Sequence, residues 1–254
     1  MFPGQGSQQV GMGEELLDIY PNLLIKEFEE ALNWSLKDVV LTNDKEEITK
    51  TNIAQPYIFA ISYCYGLEAI KKFGNPRVAI GHSLGEYTAL ALGEYITFSD
   101  ALKIISVRGN AMQKAVENSG TTMAAVLSSE LDKTVNSVSE LKVQGIEINI
   151  SNYNDATQIV ISGKYEDIDY LKSNPKALNA KRVIPLDVAG AFHSPVVTPA
   201  KKDVEEVLEN IEFKPGKFKV YMNVDAQLVD LSNVKERLSN QVDNSVLFHK
   251  QITT

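Results

Sequence analysis

Apolar positions recur at three- and four-residue spacing over 12–20, over 21–32 and, most extensively, over 52–73, and each stretch predicts a helix with one buried face. In the second, Pro21 sits at an early helical position, and Leu24, Ile25, Phe28 and Leu32 share the apolar side. The third is capped by Thr51 or Asn52, carries Pro56 near its first turn and ends at Gly74-Asn75-Pro76. Between them, the polar run 42–51 reads as a connector. A short strand-like run over 77–80 follows, then a helix over 86–95 and another from Ser99, read as its cap, to about 117. Helix alternating with buried strand predicts the α/β class, with a parallel sheet covered on both faces.

The pattern changes after Thr121. Short apolar-rich runs at 123–127, 146–151, 158–163 and 182–188 predict strands, and 130–141 and 165–173 predict helices. The order β-α-β-β-α-β is that of a split, ferredoxin-like unit. The expected organisation is therefore a ferredoxin-like small domain, 121–188, inserted into a large α/β-hydrolase-like domain formed by 1–120 and 189–254. Both ends of an insertion return to the parent body, so a cleft between the two is expected, a usual place for a ligand. Beyond it, 201–210 and 234–241 read as helices and 218–224 as a strand, before the apolar Val246-Leu247-Phe248.

Composition narrows the function classes. The 44% hydrophobic and 23% charged content is that of an ordinary globular chain with enough length to bury a core. A net charge of -8 gives no support to a nucleic-acid surface, although it does not forbid a local basic patch. Cys64 is the only cysteine, which rules out an internal disulfide and a cysteine metal cluster; it reads as a small core residue. No apolar run is long enough for a membrane span and Met1-Phe2-Pro3-Gly4 is no signal peptide, so a cytoplasmic location is the default expectation.

Candidate chemistry centres on Val78-Ala79-Ile80-Gly81-His82-Ser83-Leu84-Gly85-Glu86-Tyr87, a strand that turns sharply into a helix at a serine flanked two residues away on each side by glycine. This is the G-x-S-x-G nucleophile elbow, and its strand-turn-helix setting is what separates it from a chance match. Ser83 is the candidate nucleophile, and the Leu84 N–H, at the start of the helix, can face charge developing on a carbonyl oxygen. Three histidines could serve as its base. His82 points away from its neighbour Ser83, and His249 reads as structural, which leaves His193 in Gly190-Ala191-Phe192-His193-Ser194-Pro195, by elimination. Arg108, alone on its helix, reads as a solvated surface residue on this ground. The glycine-punctuated Phe2-Pro3-Gly4-Gln5-Gly6-Ser7-Gln8 is either a terminal loop or a backbone brought close to something.

Taken together and in order, the first loop, the elbow, Arg108-Gly109 with Met112, the stretch from Tyr153-Asn154 to Ser162-Gly163, and Gly190-Ala191-Phe192-His193-Ser194 resemble the malonyl-CoA:acyl carrier protein transacylases and the acyltransferases of polyketide synthases. The likeness runs from Met1 to about Gln251, and its last motif is similar to that of discrete, malonyl-selective enzymes acting in trans. It implies malonyl transfer from malonyl-CoA to the phosphopantetheine thiol of an acyl carrier protein, by a ping-pong route through a malonyl-Ser83 ester, with no cofactor of the enzyme's own. It implies His193 as base, oriented by a backbone carbonyl near Gln241 in place of a triad acid. It further implies the backbone N–H groups of Leu84 and Gln5 as oxyanion donors, Arg108 as partner of the free malonyl carboxylate, Gln55 and Asn154 as pocket residues, and Phe192 as the gate against methylmalonyl. The resemblance also implies residues ahead of Phe2 and a glycine-containing segment after Thr254. An editing hydrolase and a silent docking module are the competing readings; Arg108 argues against the first, and an intact Ser83, His193 and Gln5 against the second. A monomer is the simpler expectation. For an acidic carrier, Lys172, Lys176, Lys181 and Arg182, with Lys201 and Lys202, are candidate docking cations; a scatter of solvated lysines is the plain alternative.

Overall fold

The computed structural model describes all 254 residues. The N-terminal third is helical: α1 (Glu14–Ile19), α2 (Phe28–Leu32), α3 (Leu36–Leu41), α4 (Lys45–Thr49) and α5 (Thr51–Phe73). Pro21 opens a π-helical stretch, Asn22–Glu27, that runs directly into α2. The polar connector expected at 42–51 contains α4, because Asp44 accepts from the Glu46 and Glu47 N–H groups and starts a turn that apolar spacing does not reveal. Helix α5 is the scaffold of the large body, with Tyr57, Ile58, Phe59, Ala60 and Ile61 all fully buried.

Strand β1 (Val78–Ala79) leads through the elbow into α6 (Gly85–Leu92), every residue of which is buried, and then α7 (Phe98–Val116). The cap of α7 is Thr97, whose hydroxyl accepts from Asp100 N–H at 3.0 Å, and not Ser99; the helix thus starts earlier than expected. Strands β2 (Thr121–Leu127), β3 (Ile148–Asp155), β4 (Gln158–Lys164) and β5 (Arg182–Pro185), with α8 (Leu131–Val143) and α9 (Tyr165–Ser173), form an antiparallel sheet in the order β3-β4-β2-β5. That is the ferredoxin-like arrangement. Its own core gathers Val126, Leu141, Ile148, Ile161 and Leu171, separate from the larger core around α5, α6 and α7.

The chain returns through α10 (Pro199–Glu209), β6 (Lys219–Val220), α11 (Val234–Asn240) and α12 (Phe248–Thr253). Strand β6 pairs parallel with β1, and Phe2 bridges parallel to Gly81, so the parallel sheet is narrow and centred on the strand that feeds the elbow. Only two residues of the stretch 218–224 keep strand geometry, since Met222 and Asn223 turn into a loop that reaches the elbow. Val246 pairs with β3 by exchanging backbone bonds with Ser151 and Tyr153, while the Leu247 N–H donates to Asn223. One short segment therefore ties the small sheet to the large body beside the elbow. No helix is long and apolar enough to cross a membrane.

Candidate active site

The elbow is set by two close approaches. A Cβ on Gly81 would stand 1.9 Å from the Gly85 carbonyl carbon, and one on Gly85 would stand 2.5 Å from the Phe2 carbonyl oxygen. Only glycine lets strand, helix and first loop pack at these distances. Ser83 between them adopts φ 54°, a left-handed conformation costing about 1–3 kcal/mol that must be held by its surroundings. Asn223 accepts from the Ser83 N–H at 2.7 Å and donates to the Gly81 carbonyl at 2.7 Å, and the Gln241 amide donates to the Ser83 carbonyl at 2.8 Å. Both clamps come from the last quarter of the chain.

Ser83 Oγ lies 2.8 Å from His193 Nε2, and His193 Nδ1 lies 2.9 Å from the Gln241 carbonyl oxygen. A carbonyl only accepts, so Nδ1 carries the proton, Nε2 is the bare nitrogen, and the Ser83 hydroxyl donates to it. Burial, reinforced by the nearby Arg108 charge, pushes the imidazole down to about 3, against the raising effect of Gln241, so the ring is neutral at any working pH. His193 has φ 54°, as strained as the serine it faces.

Arg108 is not at the surface. It is 1% exposed, and its guanidinium donates to Gln55 Oε1 at 2.6 Å, to Gln241 Oε1 at 2.8 Å and to Ser83 Oγ at 3.0 Å. Its Nε has no partner, and no carboxylate lies within ion-pair distance. The amphipathic pattern of α7 had no way to separate a solvated arginine from one aimed into the cleft.

The cavity beside these groups has a volume of about 80 Å³, and Gln5, Gln55, Met112, Asn152 and Phe192 line it with Ser83 and His193. The N–H groups of Gln5 and Leu84 donate to no acceptor in the protein. Asn154 stands apart: its Oδ1 is 2.9 Å from His82 Nε2, and the strand's contribution to the cavity wall is Asn152. The reason is local, because β3 slips register against β4 between Ile150 and Asn152 and again between Tyr153 and Asp155, and the bulges break the simple alternation of faces. His82, half-buried and edge-on to Phe248, thus links the elbow to the small sheet and takes no part in the serine's bonding. Among the docking candidates, Lys201 is held by Asp243 and Asn240 and Lys202 by Glu206, whereas Lys172, Lys176, Lys181 and Arg182 have no carboxylate partner.

Two further residues here carry roles that the sequence reading does not assign. Asn223 gives no signal, since a turn asparagine is common. Glu86 gives only a weak one, an acid in the first turn of a helix whose other residues are mostly apolar. It is fully buried, accepting from the Asn223 N–H at 2.8 Å with one oxygen and from Gln241 Nε2 with the other.

Fold and site together define a class: an α/β protein carrying a serine–histidine pair at a nucleophile elbow, with a buried arginine beside the serine. Comparison with known proteins makes this particular. The chain belongs to the acyl transferase domain family, whose model matches residues 1–254. It is 36% identical to the malonyl CoA-acyl carrier protein transacylase of Bacillus subtilis (strain 168), over 99% of this chain and 80% of that one. It is 33% identical to the protein of the same name from Staphylococcus aureus (strain MW2), over 98% of this chain and 81% of that one. Among solved structures, the malonyl CoA-acyl carrier protein transacylase of Coxiella burnetii superposes with a TM-score of 0.89 at 29% identity, covering 99% of this chain and 81% of that one. A malonyl-transacylase in complex with its type II PKS acyl-carrier protein gives 0.88 at 32% identity, covering 97% and 81%.

Proposed function

We propose that this chain moves a malonyl group from malonyl-CoA to the phosphopantetheine thiol of an acyl carrier protein, in polyketide or fatty acid synthesis, through an ester on Ser83. The observation that carries the reading is the buried Arg108 guanidinium, without a carboxylate partner and 3.0 Å from the nucleophile. A desolvated cation in this position is costly unless the substrate brings an anion, and a planar carboxylate matches its fork.

In the first half-reaction His193 Nε2 takes the Ser83 proton as Oγ attacks the thioester carbon. The resulting oxyanion is received by the Leu84 and Gln5 N–H groups, which are free to donate to it. Collapse breaks the C–S bond, and the imidazolium returns its proton to the departing CoA thiolate. In the second half the carrier thiol gives its proton to His193 and attacks the ester, and Ser83 recovers a proton as it leaves. The Gln241 carbonyl, in place of an acid, holds the ring in the required tautomer throughout. Phe192 restricts the room at the acyl α-carbon. The names of the relatives support the same substrate and acceptor. In this reading 1–120 with 189–254 form the catalytic body, 121–188 closes the cleft, and the cations free for an acidic carrier are Lys172, Lys176, Lys181 and Arg182.

Mass measurement after incubation with malonyl-CoA tests the proposal. A malonyl adduct on Ser83 that moves to the thiol of a carrier protein, and is absent from Ser83→Ala, is expected. Loss of the adduct to water ahead of transfer would make the protein a hydrolase instead, and no adduct at all would refute both.

A further inference from the structure

Glu86 is the largest piece of unused chemistry in the molecule. Its two oxygens are the common root of both clamps on the elbow. One receives the backbone N–H of Asn223, whose side chain holds Ser83 N–H and the Gly81 carbonyl; the other receives Gln241 Nε2. Gln241 in turn holds the Ser83 carbonyl, the Arg108 guanidinium and, through its own carbonyl, His193 Nδ1. Because Glu86 accepts from Nε2, the Gln241 amide has one orientation, with Oε1 directed to Arg108. The geometry points to Glu86 as a positioning residue that must be ionised: as a carboxylate it fixes the Gln241 amide and the Ser83 backbone, and as a neutral acid it releases them.

The argument is one of donors and acceptors. Ionised, Glu86 offers two acceptor oxygens to two donors, Asn223 N–H and Gln241 Nε2. Protonated, it keeps one full acceptor oxygen, and the other becomes a hydroxyl that accepts weakly and brings a donor of its own. Either the Asn223 N–H is left facing a donor, or Gln241 turns over, which sets its NH₂ against Arg108 and its oxygen against the Ser83 carbonyl. Both outcomes leave buried polar atoms unpaired beside the nucleophile. Arg108 on α7 faces the carboxylate across the Gln241 amide, so the two buried charges are linked through a relay without forming an ion pair. The other groups around it are Tyr87 on its own helix, His193 beyond Gln241, and Asp225 after β6, itself paired with Arg237 of α11. Burial pushes Glu86 up to about 7, against the lowering influence of Asn223, Gln241 and Arg108, and Asp225 adds to the rise. The switch therefore falls in the neutral range, far from that of His193.

The inference rests on the reading of Ser83 as the acylated residue, and its test separates the two. Malonyl loading of Ser83 is followed by mass across pH 5–9 in wild type, Glu86→Gln and Asp225→Asn. Wild-type loading is expected to fall by about tenfold per pH unit below the Glu86 transition. The amide introduced by Glu86→Gln presents one acceptor where two are needed, so that variant's rate should lie roughly 10- to 100-fold below wild type at pH 8 and show no acid limb. Asp225→Asn, which removes a negative charge outside the site, should keep the limb and move it to lower pH, and this arm stands even where Glu86→Gln fails to fold. A wild-type rate unchanged from pH 8 to pH 6, a limb that persists in folded Glu86→Gln, or one that stays in place in Asp225→Asn overturns the role of Glu86 alone. No Ser83 adduct at pH 8 overturns the parent reading with it.

Discussion

Replacing Arg108 by alanine removes a fully desolvated guanidinium and two separable contributions with it. The first is its pairing with a substrate carboxylate. Truncating one partner of a buried charge pair costs about 2–5 kcal/mol, or roughly 30- to 4,000-fold in rate. The second does not depend on the acyl group: Gln55 and Gln241 each lose a donor, held now at 2.6 and 2.8 Å, and each buried amide oxygen left unpaired costs about 1–3 kcal/mol. Relief of the buried cation offsets part of that second cost. The absolute rate is thus a poor readout and the ratio a good one. Single-turnover acylation of Ser83 should be followed by mass with malonyl-CoA and acetyl-CoA in parallel. The malonyl-to-acetyl preference is expected to drop at least about 30-fold in Arg108→Ala, while acetyl loading falls only by the loss of support to Gln241 and Ser83 Oγ. Arg108→Lys, a point charge without the fork, should retain part of the preference. Equal loss with both acyl groups would show that Arg108 serves the protein's own hydrogen bonds and reads no carboxylate.

Two further substitutions probe the cavity and the elbow. Phe192→Ala enlarges a cavity of about 80 Å³ and should relax discrimination against methylmalonyl-CoA by roughly 10-fold or more, the worth of one methyl in a tight pocket, at about 3–5 kcal/mol of stability; unchanged discrimination in competition assays would free Phe192 of the gating role. Gly81→Ala drives a methyl into the Gly85 backbone, which cannot yield as a side chain could, and should cost about 3 kcal/mol or more. In a chain of this size that lowers Tm by roughly 6–12 °C, and a wild-type Tm would mean that the strand and helix of the elbow are not in contact as described.

Much of this molecule follows from the sequence alone. The elbow is legible because its glycines, serine and flanking apolar runs are consecutive, so backbone sterics within a few residues dictate the turn. The ferredoxin-like unit is legible for a similar reason: its strands and helices are short local runs set off by polar breaks, and β4 and α9 begin at the expected Gln158 and Tyr165. Local rules fall short at a helix start, where Thr97 and not Ser99 caps α7, and they do not report the bulges in β3 that leave Asn152, and not Asn154, on the cavity wall. The site itself is a different matter. Ser83, Arg108, His193 and Gln241 stand on four separate segments, and no period along the chain reports which buried polar atoms will meet. Packing of α5, α6 and α7 turned Arg108 inward, the return of the chain after the small sheet brought the His193 and Gln241 backbones together, and closure of the core around α6 left Glu86 as the one carboxylate on which both elbow clamps converge. Hydrogen-bond satisfaction in the interior is a property of the whole packed chain, and only the tertiary structure decided it.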